Sequence, residues 1–224
     1  MITFAPMESF ESILKYCDEN GVKLLAVSKT KQAEAIFDLY QKGQRDFGEN
    51  KVQELISKKD LLPADIRWHL IGHLQSNKVK FIAPFVHLIH SVDSFKLIKE
   101  INKQALLCNR TISCLLQIFI ATEETKFGLS EIEATEIFGS KEFKSLKNIC
   151  VVGLMGMASN TSNENRVRSE FSKLKLFFDE LKKQESENLK MQILSMGMSS
   201  DYKIAIKEGS TMIRIGSALF GAKH

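Results

Sequence analysis

Three stretches carry side chains or backbone groups able to do chemistry beyond packing. In LLAVSKTK, Leu24 to Val27 read as a short buried strand, and Lys29 stands where that apolar run stops. A lysine amine that has lost its proton adds to a carbonyl carbon, although a charged turn at a strand exit explains those residues equally well. Far along the chain, GMSSDYKIAIKEG sets Ser199, Ser200 and Asp201 at the start of a short predicted helix. Free backbone N–H groups and the positive dipole end at such a start suit an anion. RIGSALFG then offers Arg214, Gly216 and Ser217, the glycine allowing close approach of a backbone to a ligand. A helix cap and a turn glycine also serve folding alone.

What must bring these residues together is an alternation of strands and helices. Apolar, β-branched runs occur at VKLLAVSK, RDFGEN, IRWHLIG, VHLIHSV, ISCLLQIFI, NICVVGLMGM, MQILSMGM and TMIRIGSALFG, which makes eight strands. Helical stretches fall between them, such as KQAEAIFDLYQKG, NKVQELISKK and SFKLIKEINKQALL. RVRSEFSKLKLFFDELKK carries Val167, Phe171, Leu174, Phe178 and Leu181 on one stripe. An additional helix at the N-terminus, MESFESILKYCDENG, places Met7, Phe10, Ile13, Leu14 and Cys17 on one face and stops at Asn20-Gly21. Strand alternating with helix implies parallel pairing, and eight repeats favour a closed (β/α)8 barrel of the TIM type over an open doubly wound sheet. No Pro- or Gly-rich linker divides residues 1–224, so one domain is expected. The polar stretch 158–166, ASNTSNENR, reads as a loop, with a mobile lid as the alternative.

In a parallel barrel, function gathers at the C-terminal ends of strands, and phosphate binds to the loops after strands seven and eight. That rule puts Lys29, Asn50, His69 to His73, His90 to Asp93, Met155 to Ser159, Ser195 to Asp201 and Arg214 to Ser217 on one rim, Ser199, Ser200, Gly216 and Ser217 among them. A ligand with a phosphate at one end and an amine-reactive carbonyl at the other would bridge them. Pyridoxal 5′-phosphate has that anatomy, and a sugar phosphate held by an aldolase-type lysine is the competing assignment. The lysine has to shed its proton, for which the apolar strand and Arg214 could supply desolvation and a neighbouring cation.

Other residues read as structural. His69 and His73 are spaced for a metal pair only on a helix, and Gly72 with a strand end between them breaks that face, so no metal is expected. His87 and His90 fall an odd number of positions apart and face opposite sides of a strand. Trp68 reads as packing. Met155, Met157, Met196 and Met198 flank glycines at two strand ends, as pocket lining or core filling. Cys17, Cys108, Cys114 and Cys150 form no C-x-x-C pair and read as reduced buried thiols.

Composition excludes several classes. The 224 residues are 44% hydrophobic and 26% charged, an ordinary globular balance. No apolar run approaches the ~20 residues of a membrane span. MITFAPMESF lacks the layout of a secretory signal, so a cytoplasmic protein is expected. The net charge of +4 is mild, and the lysines of KLKLFFDELKK are accompanied by acids, which describes a solvated face rather than a nucleic-acid surface.

Taken together, several long motifs resemble one family. LLAVSKTK is similar to the cofactor-lysine strand of the pyridoxal phosphate homeostasis proteins (the YggS/PROSC family), and RDFGENKVQEL to their next strand and helix. RWHLIGHLQSNKVKFI resembles their most distinctive signature, and GLMGMAS and LSMGMSSDYKIAIKEGSTMIRIGSALFG complete a match that runs nearly end to end. Gln32 departs from the proline that relatives often carry. These proteins look like the barrel domain of alanine racemase standing alone. The resemblance implies a Schiff base on Lys29. It implies phosphate held by Ser199, Ser200 and the backbone of Gly216 and Ser217, Asn50 near the ring substituents, and Arg214 at the ring nitrogen or partly at the phosphate.

Arg214 also bears on activity. Enzymes that use this cofactor as an electron sink usually set a carboxylate on the ring nitrogen, and a guanidinium cannot accept that proton. Racemases add an acid/base group from a second domain, for which a chain ending at His224 leaves no room. Tyr16, Tyr40 and Tyr202 lie in predicted helices and are no evident substitute. The expectation is a cofactor-storing or cofactor-delivering monomer that supplies apo-enzymes, with an amino-acid racemase or lyase as the alternative.

Overall fold

A computed structural model describes residues 9–121 and 128–220 of the chain. Eight parallel strands close into a barrel in sequence order: β1 Lys23–Val27, β2 Asp46–Glu49, β3 Arg67–Leu70, β4 Leu88–Val92, β5 Ile112–Gln117, β6 Ile149–Met155, β7 Leu189–Ser195 and β8 Met212–Ile215. Among the described residues ten α-helices accompany them: α1 Phe10–Glu19, α2 Ala33–Gln41, α3 Val52–Lys59, α4 Val79–Ile82, α5 Phe95–Leu107, α6 Glu131–Gly139, α7 Lys141–Lys144, α8 Glu164–Lys182, α9 Tyr202–Lys207 and α10 Ser217–Phe220. Closure is made by β8 pairing back onto β1, from Lys23 opposite Met212 to Ala26 opposite Ile215. All eight expected strands and the extra N-terminal helix are present; Met7 lies outside the described residues.

Short strands such as KLLAV and LIHSV are buried on both faces, as they must be between an outer helical layer and a filled interior. The helices bury single stripes: Val167, Phe171, Leu174, Phe178 and Leu181 of α8 are all buried. Inside the barrel, Leu88, Leu115, Val152 and Met155 form a separate apolar cluster. No described helix is long and apolar enough to cross a membrane.

Two expectations need correction. The polar stretch 158–166 is not a loop throughout, because α8 begins at Glu164. Asn163 caps it by accepting from Arg166 N, and an Asn before an amphipathic run is a start signal that its polar neighbours obscured. The remainder is tied down: Ser159 is buried and donates through both its backbone N–H and its hydroxyl to Glu170, at 2.7 Å each. The four cysteines are free, but only Cys17 and Cys114 are buried; Cys108 and Cys150 are partly exposed.

Candidate functional site

Lys29 leaves the top of β1 on a turn held from below by acids. Ser28 donates to Glu49 Oε1 at 2.7 Å, and the Thr30 N–H donates to Glu54 Oε2 at 2.6 Å. Lys58, on the same helix as Glu54, donates to Glu49 at 2.8 Å and to the Ser28 carbonyl at 3.0 Å. Burial pushes the Glu49 carboxyl up, against the hydrogen bonds from Lys58 and Ser28. Thr30 sits at φ 64°, a left-handed conformation costly for a β-branched residue. The residues on either side of the lysine are thus fixed, while Lys29 itself is exposed. The expectation that an apolar strand shields it is not met, because the residue stands beyond the strand end at Val27.

A cavity of about 560 Å³ opens at this rim, within the range of small-molecule sites. Lys29, Asn50, Ser199, Arg214, Gly216 and Ser217 all line it. The two serines from successive strand ends meet there, Ser217 donating to Ser199 Oγ at 3.2 Å. Ser200 lines a neighbouring cavity of about 410 Å³ instead, together with Ser159 and Asp201. Asp201 does not cap α9 with its side chain; it accepts from the Met198 N–H at 2.6 Å and so shapes the turn that carries Ser199. A Cβ on Gly216 would meet the Val27 carbonyl oxygen at 3.2 Å, so this glycine lets β8 close tightly on the lysine strand as well as facing the cavity.

Arg214 is buried at the cavity floor. It donates to Ser195 O and Ser195 Oγ at 2.7 Å and to Gly156 O at 3.0 Å. Burial pushes its pKa down to about 10, which leaves it a cation at neutral pH. Met155, Met157 and Met198 line the cavity, whereas Met196 is core. Sequence reasoning missed Gln117, which ends β5 and lines the site; a lone amide closing an apolar strand was the available signal. The donor set, with one amine, paired hydroxyls and a fixed guanidinium, fits an aldehyde that carries a phosphate.

Three of the histidines are hydrogen-bonded. His73 pairs with Asp93 at 3.1 Å on the rim. His69 and His90 lie inside the barrel and touch each other, and His69 also touches Asp46. Asp46, His69 and His87 come close enough to share a metal, but both Asp46 oxygens already accept from Arg67, at 2.7 and 2.6 Å. Burial holds His69 and His90 below the ordinary imidazole value, with Asp46 opposing it. The unfolded chain therefore takes up protons first as pH falls below about 6.5, and each such imidazole removes up to about 1.4 kcal/mol of stability per pH unit. The urea midpoint should fall clearly between pH 7 and pH 5; an unchanged midpoint would contradict neutral buried rings. Burial opposes ionisation of Asp46, but Arg67 and His69 outweigh it and hold the carboxyl well below its ordinary range, so its contribution persists to lower pH.

Comparison with known proteins follows the same lines. The family profile described as alanine racemase, N-terminal domain, matches residues 8–224. The pyridoxal phosphate homeostasis protein of Aquifex aeolicus is 41% identical over 219 residues, covering 95% of this chain and 94% of its own. The structure of PipY from Synechococcus elongatus without PLP superposes with a TM-score of 0.86 at 35% identity, over 94% of this chain and 99% of that one. The same protein with PLP bound gives 0.82 at 35% identity, over 93% and 98%.

Proposed function

The chain belongs to the alanine racemase N-terminal domain family, among its pyridoxal phosphate homeostasis proteins, and from that premise we propose that it binds pyridoxal 5′-phosphate through a Schiff base on Lys29 and stores or delivers it within the cytoplasm. The observation that carries this reading is the meeting of Lys29, the Ser199–Ser217 pair and Arg214 in one cavity. When bound, the cofactor supplies a reactive aldehyde and a phosphate anchor. Lys29 attaches the aldehyde; Ser199, Ser217 and the Gly216 backbone hold the phosphate, with Ser200 on the adjoining turn. Asn50 would lie near the ring substituents, and Arg214 would approach the ring nitrogen or, in part, the phosphate. The whole of residues 1–224 acts as one binding domain and a monomer, with apo-enzymes as its clients and no metal required.

The same residues argue against catalysis. Arg214 has no acceptor for a ring proton. Tyr40 is engaged with Asp65 on the surface, and Tyr202 is buried edge-on against Tyr16, so none of the three tyrosines lines the cavity. A racemase or lyase is the second reading, and His73 favours it as an imidazole on the cavity wall. Incubating the loaded protein with L- and D-amino acids in deuterium oxide separates the two. Negligible α-proton exchange together with reactivation of an apo-enzyme is expected; sustained exchange at enzymatic rates would overturn the carrier reading.

A further inference from the structure

A line of buried polar groups runs through the barrel from its N-terminal mouth to the cavity floor. Asp46 opens β2 at the bottom, and His69 Nε2 lies 3.0 Å from its Oδ1. His69 Nδ1 is 2.9 Å from His90 Nε2 on β4. His90 Nδ1 then reaches across the interior to Ser195 Oγ on β7 at 3.2 Å, and Ser195 Oγ accepts from Arg214 at 2.7 Å. His69, His90, Ser195 and Arg214 are each at most 4% exposed. Barrel interiors are normally filled by apolar branched side chains, so a polar file through this one calls for a reason.

The proton on every link can be assigned from the two ends. Arg214 can only donate, and Asp46, doubly bonded by Arg67, is a carboxylate that can only accept. His69 therefore carries its hydrogen on Nε2, and its bare Nδ1 accepts. His90 must then donate from Nε2 and accept at Nδ1, which turns the Ser195 hydroxyl toward it. Each donor points the same way, from guanidinium to carboxylate, and the opposite sense would set bare Nε2 of His69 against the Asp46 oxygen. Neutral imidazoles are what this pattern requires, in agreement with burial of both rings.

From this geometry we infer that Ser195, His90, His69 and Asp46 are positioning residues: a one-way hydrogen-bonded file that fixes the orientation of the Arg214 guanidinium toward a ligand ring in the cavity. Ser195 is the first link and also supplies its carbonyl to Arg214, so the guanidinium plane is held at two points on one residue and a third on Gly156. A polarised file adds strength to each member, because a charged donor at one end and a charged acceptor at the other align the dipoles between them. The effect on the ring rests on the cofactor reading above; the tautomers do not.

Two measurements test it. In the protein without cofactor, nitrogen-15 NMR of the imidazoles at neutral pH should show both His69 and His90 neutral with hydrogen on Nε2. A hydrogen on Nδ1 of either ring, or a charged ring, overturns the file. In the pyridoxal phosphate-loaded protein, Ser195→Ala should displace the visible absorption band and weaken cofactor affinity about tenfold, the loss expected for one charge-assisted hydrogen bond. Ser195→Thr keeps the hydroxyl and should restore both. His69→Gln, two links from Arg214, should displace the band in the same direction; should that variant not fold, the Ser195 pair decides alone. A band unmoved by Ser195→Ala, or unrestored by Ser195→Thr, defeats the positioning role. Mass analysis after borohydride reduction separates this from failure of the cofactor reading, in which wild type itself would carry no adduct.

Discussion

Lys29→Ala is expected to abolish the yellow imine band expected of the wild-type protein with pyridoxal phosphate, leaving at most phosphate-anchored, readily dialysed cofactor. Among the described residues Lys29 is the lysine that lines the cavity, on a turn whose neighbours are bonded to Glu49 and Glu54. Lys51 and Lys78 belong to a separate depression of about 200 Å³ beside it. Borohydride reduction of the wild type followed by peptide mapping should find the pyridoxyl group at position 29, and the alanine variant should take up none there. Full retention of the band in the variant, or a pyridoxyl group mapped chiefly to another lysine, would defeat the assignment. The effect is large because a covalent bond is removed while the Ser199–Ser217 pair stays intact.

Gly153→Ala is expected to cost about 3 kcal/mol or more and to leave much of the protein insoluble. Gly153 has φ 153°, and a Cβ there would lie 1.8 Å from the Ile193 carbonyl oxygen and 2.7 Å from its carbon. Those are backbone atoms of β7, at the place where the β6–β7 register shifts between Val151 and Gly153, and they cannot swing aside as a flexible side chain would. Gly139 is the control: it ends α6, and nothing lies within 4 Å of an added Cβ. Gly139→Ala should leave stability unchanged or raise it by up to about 1 kcal/mol. Denaturant midpoints of the two variants give the comparison, and similar midpoints would show that the strand crossing relaxes more easily than its geometry implies.

How far the molecule could be read from its residues depended on whether a signal was local. The strands are four to seven residues long and most lie within apolar, β-branched runs, so all eight were legible, and their alternation with helices was enough for closure. Lys29, Ser199 and Ser217 were legible because a lysine, a helix start and a glycine turn mark strand ends within a few positions. The interior file was not, because its members come from β2, β3, β4, β7 and β8 and no spacing relates them. From the sequence, His69 and His90 read as structural residues without partners, since those partners are fixed only by barrel closure. Ser200 and Ser199 are neighbours in sequence, yet the turn shaped by Asp201 sends them to different cavities. The β6–β7 register shift was invisible for a similar reason, as a glycine in GLMGM does not announce which backbone will cross it.

Closure of β8 onto β1 has one more consequence. A sheet joined to itself offers no open border on which an extended peptide could lie, so strand addition is unavailable as a mode of recognition. An apo-enzyme that collects cargo here would have to engage the outer helices or the loops around the entrance. Helix grooves and loop tips vary independently of the cylinder beneath them, which would let one unchanging vessel serve recipients of unrelated shape.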